Sequence, residues 1–245
     1  MSPRLTAAPT IVRLGRVDST QTIAFGLAAD GAADGTVVVA DSQAAGRGRR
    51  GRAWMDEPGA SLLVSIVLRP RLEPARLPGL SLAAGVAVAE ALTRAAGLTP
   101  RLKWPNDVLV GGRKIAGILL ESRLTGSESG PVTAILGIGV NLAQRVFPAH
   151  LAPGATSVWL VSGRLVDRDV LLAALLDALA DWRRRLEHRG FAPVRARWRE
   201  LSDTLGRTVT VDGVSGVAVD IDADGALVVN DAEGRRHRVV AGDVS

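Results

Sequence analysis

The chain contains no cysteine, which excludes disulfides, thiol catalysis and thiolate metal sites. Aromatic residues make up only 3% of it, a scarcity that argues against a surface built to stack nucleic-acid bases. Its three histidines, His150, His188 and His237, are scattered without metal-ligand spacing. Nothing resembles a Ser-His-Asp triad, and no G-x-x-x-x-G-K-[ST] phosphate loop occurs. Arg, Asp or Glu interrupts every apolar stretch, so no run is expected to reach the ~20 residues of a membrane helix. Met1 to Pro9 carries one Arg and no apolar segment of signal-peptide type. A cytoplasmic protein with no membrane association is therefore expected.

Lysine is also rare. Of 30 cationic residues only Lys103 and Lys114 are lysine, the rest being arginine. A lysine ammonium is a compact point charge that fits against one carboxylate or phosphate oxygen where a planar guanidinium does not. Both lysines are site candidates on that ground, although Lys114 also fits an exposed hairpin position.

What the chain does have is 245 residues, 47% of them hydrophobic and 22% charged, enough for one large domain and a small one. The net charge of +5 and pI near 10.9 admit nucleic acid, anionic nucleotides or an acidic protein as partners. An arginine-rich composition raises the pI by itself, so placement of the charge matters more than its sum.

Placement singles out Gly46-Arg47-Gly48-Arg49-Arg50-Gly51-Arg52-Ala53-Trp54. Glycines let successive N–H groups approach an anion closely, and guanidinium forks bind its oxygens in pairs. The segment sits between two strong strand patterns and is not repeated, which favours a ligand-closing loop over a disordered RNA-binding tract.

Around it the pattern predicts a mixed α/β unit from residue 10 to 201. Strands are expected at Ile11–Val17, Thr36–Ala40, Ser61–Leu68 and Val132–Asn141, with short ones at Arg101–Trp104, Asp107–Val110 and Lys114–Glu121 around a Gly111-Gly112 hairpin turn. Helices are expected at Gln21–Ala29 (capped by Asp18-Ser19-Thr20), Leu80–Ala96, Arg168–Arg189 and Pro193–Leu201. Arg183-Arg184-Arg185 reads as a solvated face near a helix C-terminus. From residue 203 to 245 short strands alternate with Asp212-Gly213, Asp224-Gly225 and Glu233-Gly234, the texture of a small barrel.

Two further segments stand out. Lys103-Trp104-Pro105-Asn106-Asp107 turns at its proline; the same residues make an ordinary turn or place a cation and a carboxylate beside a ligand. Gly137-Ile138-Gly139-Val140-Asn141 lacks the third glycine and the helix of a dinucleotide fingerprint, and instead suggests a strand smooth enough for a flat ligand to lie on.

Taken in order, Asp18-Ser19-Thr20, Gln43 with Gly46 to Trp54, Lys103 to Asp107, Arg113 to Gly117 and Gly137 to Asn141 resemble the biotin–protein ligases over nearly the whole chain. The resemblance implies an α+β fold, with helices packed on a mixed β-sheet and a C-terminal SH3-like β-barrel. It implies ATP-dependent formation of biotinyl-5′-adenylate, then biotin transfer to a lysine of a biotin carboxyl carrier protein, with Mg²⁺ as cofactor. By matching position, Ser19, Thr20, Gln21, Gln43, Gly46, Gly48, Gly117, Gly137 and Gly139 correspond to the biotin cradle. Arg47 and Arg49 correspond to phosphate-binding catalytic residues and Lys114 to the residue at the reacting carboxyl. Arg52, Trp54, Lys103, Asn106, Asp107 and Asn141 correspond to the ATP side, Asp107 also to the metal ligand. Gln21 departs from the family, which usually has Asn there. No helix-turn-helix pattern precedes Ile11, so the short form without specific DNA binding is implied, as monomer or homodimer. A lipoate ligase or octanoyltransferase is the rival within the fold, and a nucleic-acid-binding module the rival outside it.

Overall fold

The computed structural model describes residues 9–124 and 132–245. The expectation that the first residues carry no apolar leader therefore falls outside the described residues, apart from Pro9. Along the chain run β1 (Ile11–Val17), α1 (Thr20–Ala29), β2 (Val37–Gln43), β3 (Ser61–Leu68), α2 (Pro78–Ala96), β4 (Arg101–Lys103), β5 (Asp107–Val110), β6 (Arg113–Leu124) and β7 (Val132–Asn141). They are followed by α3 (Val158–Ser162), α4 (Arg168–Arg189), α5 (Ala192–Leu201), β8 (Thr208–Val211), β9 (Val214–Ile221), β10 (Leu227–Asn230) and β11 (Arg236–Val239). Strands and helices lie where hydrophobic periodicity places them, except α3, a five-residue helix too short to generate a periodic pattern.

Two compact units emerge, one comprising residues up to Pro70 with Leu119–Gly139, the other Arg71–Ile118 with Val140–Ser245. The strands β6 and β7 pass from one into the other. In the first unit the strand order is β1-β2-β3-β7-β6; β1 pairs parallel to β2, and β2 antiparallel to β3. All eight residues of β3 are buried, so it reads as one apolar run rather than an alternation. The helix α1 closes one face, burying Ala24, Phe25 and Ala28 against Val38, Val67 and Ile135.

In the second unit β6, β5 and β4 pair antiparallel. The β5–β6 hairpin turns at Gly111-Gly112, both with positive φ (58° and 74°), as a tight turn matching strand twist requires. Asp167 begins α4 by accepting hydrogen bonds from the N–H groups of Asp169 and Val170 at 2.7 and 3.1 Å. The predicted stripe Leu171, Leu175, Leu179, Trp182 and Leu186 is buried, and α4 packs against α2.

Glu90 and Arg94 interrupt α2, as expected. Pro74–Ala96 is nevertheless long and apolar enough to match a membrane span by length and composition. Twelve residues of α2 are buried, so its apolarity is that of a core helix surrounded by protein.

The C-terminal strands form a separate four-stranded antiparallel sheet in the order β11-β10-β9-β8. Beyond β11 the chain returns to β8, where Thr210 and Ser245 exchange backbone hydrogen bonds at 2.9 and 3.0 Å.

Candidate active site

The first unit gathers the residues that the sequence assigns to the cradle. Ser19 begins α1 but does not cap it through its side chain. Its hydroxyl is buried and makes no hydrogen bond to another described residue, which leaves it available to a ligand or a water. Beside it, Gln43 Oε1 accepts from Thr20 N at 2.8 Å and Thr20 Oγ1 at 3.0 Å. Thr20 Oγ1 also lies 2.8 Å from Ser65 Oγ, which donates to Gln21 Oε1 at 2.9 Å. Gln21 Nε2 completes the chain by donating to the carbonyls of Ile135 (3.1 Å) and Leu119 (3.4 Å). Gln21 thus ties α1 to β7 and β6, an anchoring role not legible from its position after Ser-Thr. A methyl on Gly137 would stand 2.7 Å from Gln21 Oε1, so Gly137 leaves room for that anchor. Ser65, fully buried on β3, was not singled out by sequence, because an inward serine within an apolar run resembles any small core residue.

The loop from Gly46 to Trp54 folds back on itself. Trp54 N donates to Gly46 O at 2.9 Å, Gly48 N to Arg52 O at 2.7 Å, and Arg52 N to Arg49 O at 3.1 Å. A methyl on Gly46 would meet Trp54 O at 2.6 Å, and one on Gly139 would meet the Trp54 indole at 2.6 Å. The smooth strand expected to carry a flat ligand thus carries the indole of Trp54 at Gly139, which closes the end of the loop. The loop borders an open cavity of about 540 Å³ lined by Ala45 to Ala53 together with Leu119 and Glu121. Arg47 Nη2 lies 3.1 Å from Glu121 Oε2.

Two residues after Trp54, the carboxylate of Asp56 faces Gln43 N at 3.3 and 3.4 Å. Burial pushes the Asp56 carboxyl above its ordinary value, opposed by that backbone N–H.

The second unit holds the remaining candidates. Lys103, Asp107 and Gly117 form one row across β4, β5 and β6. Lys114 Nζ reaches Asp107 Oδ1 at 2.6 Å, an oxygen shut off from solvent. Backbone bonds from Lys114 N to Gly154 O (2.7 Å) and from Thr156 N to Lys114 O (2.8 Å) fix the lysine on both sides. Lys114 is therefore held by at least three contacts, unlike a free hairpin lysine. Asn106 Nδ2 donates to Ile118 O at 2.9 Å, and Asn141 Nδ2 to Thr156 O at 2.9 Å; each bond holds its amide against backbone and uses one of the two N–H groups.

In the Lys103–Asp107 turn the Trp104-Pro105 peptide is cis. Trp104 is buried and tied to the C-terminal segment, its N–H donating to Thr204 Oγ1 at 2.9 Å and its Nε1 to Gly225 O at 3.0 Å. Among the described residues no three His, Asp or Glu side chains group to hold a metal ion. Of the residues that the sequence assigns to the nucleotide side, Asp107 alone carries a carboxylate.

The model of the biotin/lipoate A/B protein ligase family matches residues 14–141. The chain belongs to that family. The family's model for the biotin protein ligase C-terminal domain matches residues 204–245. The chain is 41% identical to the biotin–[acetyl-CoA-carboxylase] ligase of Paracoccus denitrificans over 233 residues, covering 91% of this chain and 95% of that one. It is 37% identical to the enzyme of the same name from Mycobacterium tuberculosis, covering 94% and 86%. Among solved structures, biotin protein ligase from Aquifex aeolicus in complex with biotin and ATP superposes with a TM-score of 0.84 at 30% identity, covering 96% of this chain and 97% of that one.

Proposed function

We propose that this family member is a biotin–[acetyl-CoA-carboxylase] ligase. It activates biotin with ATP and passes the acyl group to a lysine of a biotin carboxyl carrier protein or domain. The observation that carries the reading is the first unit's combination of an unpartnered buried hydroxyl, Ser19, with a self-closed four-arginine loop bordering an open cavity. The relatives named above support it.

In the first step a biotin carboxylate oxygen forms a bond to the α-phosphorus of ATP as the bond to the β-phosphate oxygen breaks, releasing pyrophosphate. Two anions must meet, so the protein contributes position and fixed positive charge. Arg47 and Arg49 would hold the phosphate, and the Lys114 ammonium would meet charge developing at the carboxyl. Gln43, Thr20 and Ser19 would hold biotin, with Gln21, Gly46, Gly48, Gly117, Gly137 and Gly139 shaping the cradle. Arg52, Trp54, Lys103, Asn106 and Asn141 would face the nucleotide. Bound Mg²⁺ would neutralise phosphate charge, with Asp107 as its protein ligand. In the second step the carrier lysine's neutral amine attacks the acyl carbon, the bond to the phosphate oxygen breaks, AMP leaves, and the nitrogen gives up a proton. The mixed anhydride is water-labile, which gives loop closure by Trp54 a second purpose, excluding water.

The assigned organisation is a catalytic domain over residues 10–201 and an SH3-like barrel over 203–245. The return of Ser245 to β8 supports the barrel, because it brings the last residues of the chain beside its first strand. The deciding experiment measures pyrophosphate release with biotin, lipoate or octanoate as the sole acid. Release with biotin alone is expected, and release only with lipoate or octanoate would move the chain to the other branch of its family.

A further inference from the structure

We infer that Glu121 is a built-in competitor for Arg47 and thereby sets how tightly the loop holds a phosphate anion; this rests on the proposed role of the loop. Among the described residues Glu121 is the only acidic one lining the cavity, which four arginines also line. It stands on β6 two residues from Leu119, so both side chains share one face of the strand. The carbonyl of Leu119 is a point where Gln21 anchors α1. The carboxylate is thus mounted on a strand, whereas Arg47 belongs to a glycine-punctuated loop. When an anion enters, Arg47 is the partner that turns away.

The cost of that turn falls on Glu121. Its Oε2 is closed to solvent, with Arg47 Nη2 at 3.1 Å. Removing the partner of a buried carboxylate oxygen leaves it poorly solvated, and this penalty subtracts from the affinity of whatever displaces it. Meanwhile the carboxylate offsets one of four like charges and occupies a guanidinium that would otherwise take any passing phosphate. An anion gains the whole loop only by outcompeting Glu121. Both side chains are one-third or more exposed, at 42% and 33%, so solvent screens the pair and the effect is modest.

The test uses inorganic pyrophosphate as probe and calorimetry on the intact chain, at low salt, for wild type, Glu121→Gln, Arg47→Gln and the double variant. Glu121→Gln keeps the shape and a hydrogen-bonding oxygen but removes the charge. It should bind pyrophosphate about two- to fivefold tighter than wild type, and the gain should shrink as salt rises. In the Arg47→Gln background the same change should yield a smaller gain, because the competition it relieves is already gone. An unchanged or weaker affinity in Glu121→Gln overturns the inference. So does an equal gain in both backgrounds, which would mark a general field effect. If Glu121→Gln fails to fold, Glu121→Asp withdraws the carboxylate from Arg47 and should give a smaller gain, whose absence is equally decisive. Biotin methyl ester, which carries no charge, should bind wild type and Glu121→Gln alike. Failure of every protein to bind it would refute the biotin reading while leaving the pyrophosphate comparison intact.

Discussion

Gly139→Ala tests whether the loop works by resting its tryptophan on a bare strand. The added methyl would stand 2.6 Å from two atoms of the Trp54 indole, far inside van der Waals contact, and backbone on β7 has little freedom to retreat. Relief must come from the indole. Overpacking of this kind typically costs ~1–3 kcal/mol, and the indole limits it by swinging off the strand, which unlatches the loop. The loss thus falls on the closed state of the loop rather than on the core. If only the closed loop binds ligand well, apparent affinity falls with its population, by about five- to a hundredfold for that energy. Equilibrium binding of biotin and ATP should weaken by such a factor, while the main thermal transition moves little. Biotin-dependent pyrophosphate exchange should show the loss chiefly in KM. Wild-type affinity in a folded Gly139→Ala protein would refute the idea that the indole latch governs closure. A large fall in Tm without a change in affinity would assign Gly139 to packing alone.

Lys114→Ala should lower biotin-dependent ATP/pyrophosphate exchange by about 10²-fold or more, the usual loss when a fixed charge meeting developing charge is removed; circular dichroism should show an intact fold, and near-normal exchange would refute its assigned role. Gly225→Ala places a side chain at φ +87° with its methyl 2.7 Å from Leu82 Cδ1, so a loss of about 1–3 kcal/mol is expected, read as a fall in Tm of about 2–4 °C per kcal/mol. Trp104→Phe keeps an aromatic ring but leaves Gly225 O without its donor; exchange assays should show a raised KM for ATP if the Lys103–Asp107 turn depends on that tie. Burial raises the Asp56 pKa on folding, so stability from this group is present below the unfolded value near 3.8 and lost as pH rises through the folded one. Asp56→Asn should therefore raise Tm at pH 7, and the advantage should vanish below about pH 3.8.

The element boundaries were legible because local rules set them. Apolar periodicity marked the bounds of α4 and five of the eight residues it buries, and Gly111-Gly112 fixed the β5–β6 hairpin by the positive φ values it permits. The arginine–glycine loop and the two lone lysines were visible as composition. Other features needed the third dimension. That Gln21 spans from α1 to β6 and β7, that Arg47 meets Glu121, and that Trp54 covers Gly139 are pairings between residues dozens of positions apart. A one-dimensional pattern carries the period of each element but not which side chains face one another. Ser65, Asp56 and Glu121 escaped notice for the same reason: each looks ordinary in its own strand or loop and acquires its role from a neighbour far away in sequence. The apolarity of α2 makes the same point. Composition alone matches a membrane span, and only packing against α4 marks it as the core of a folded protein.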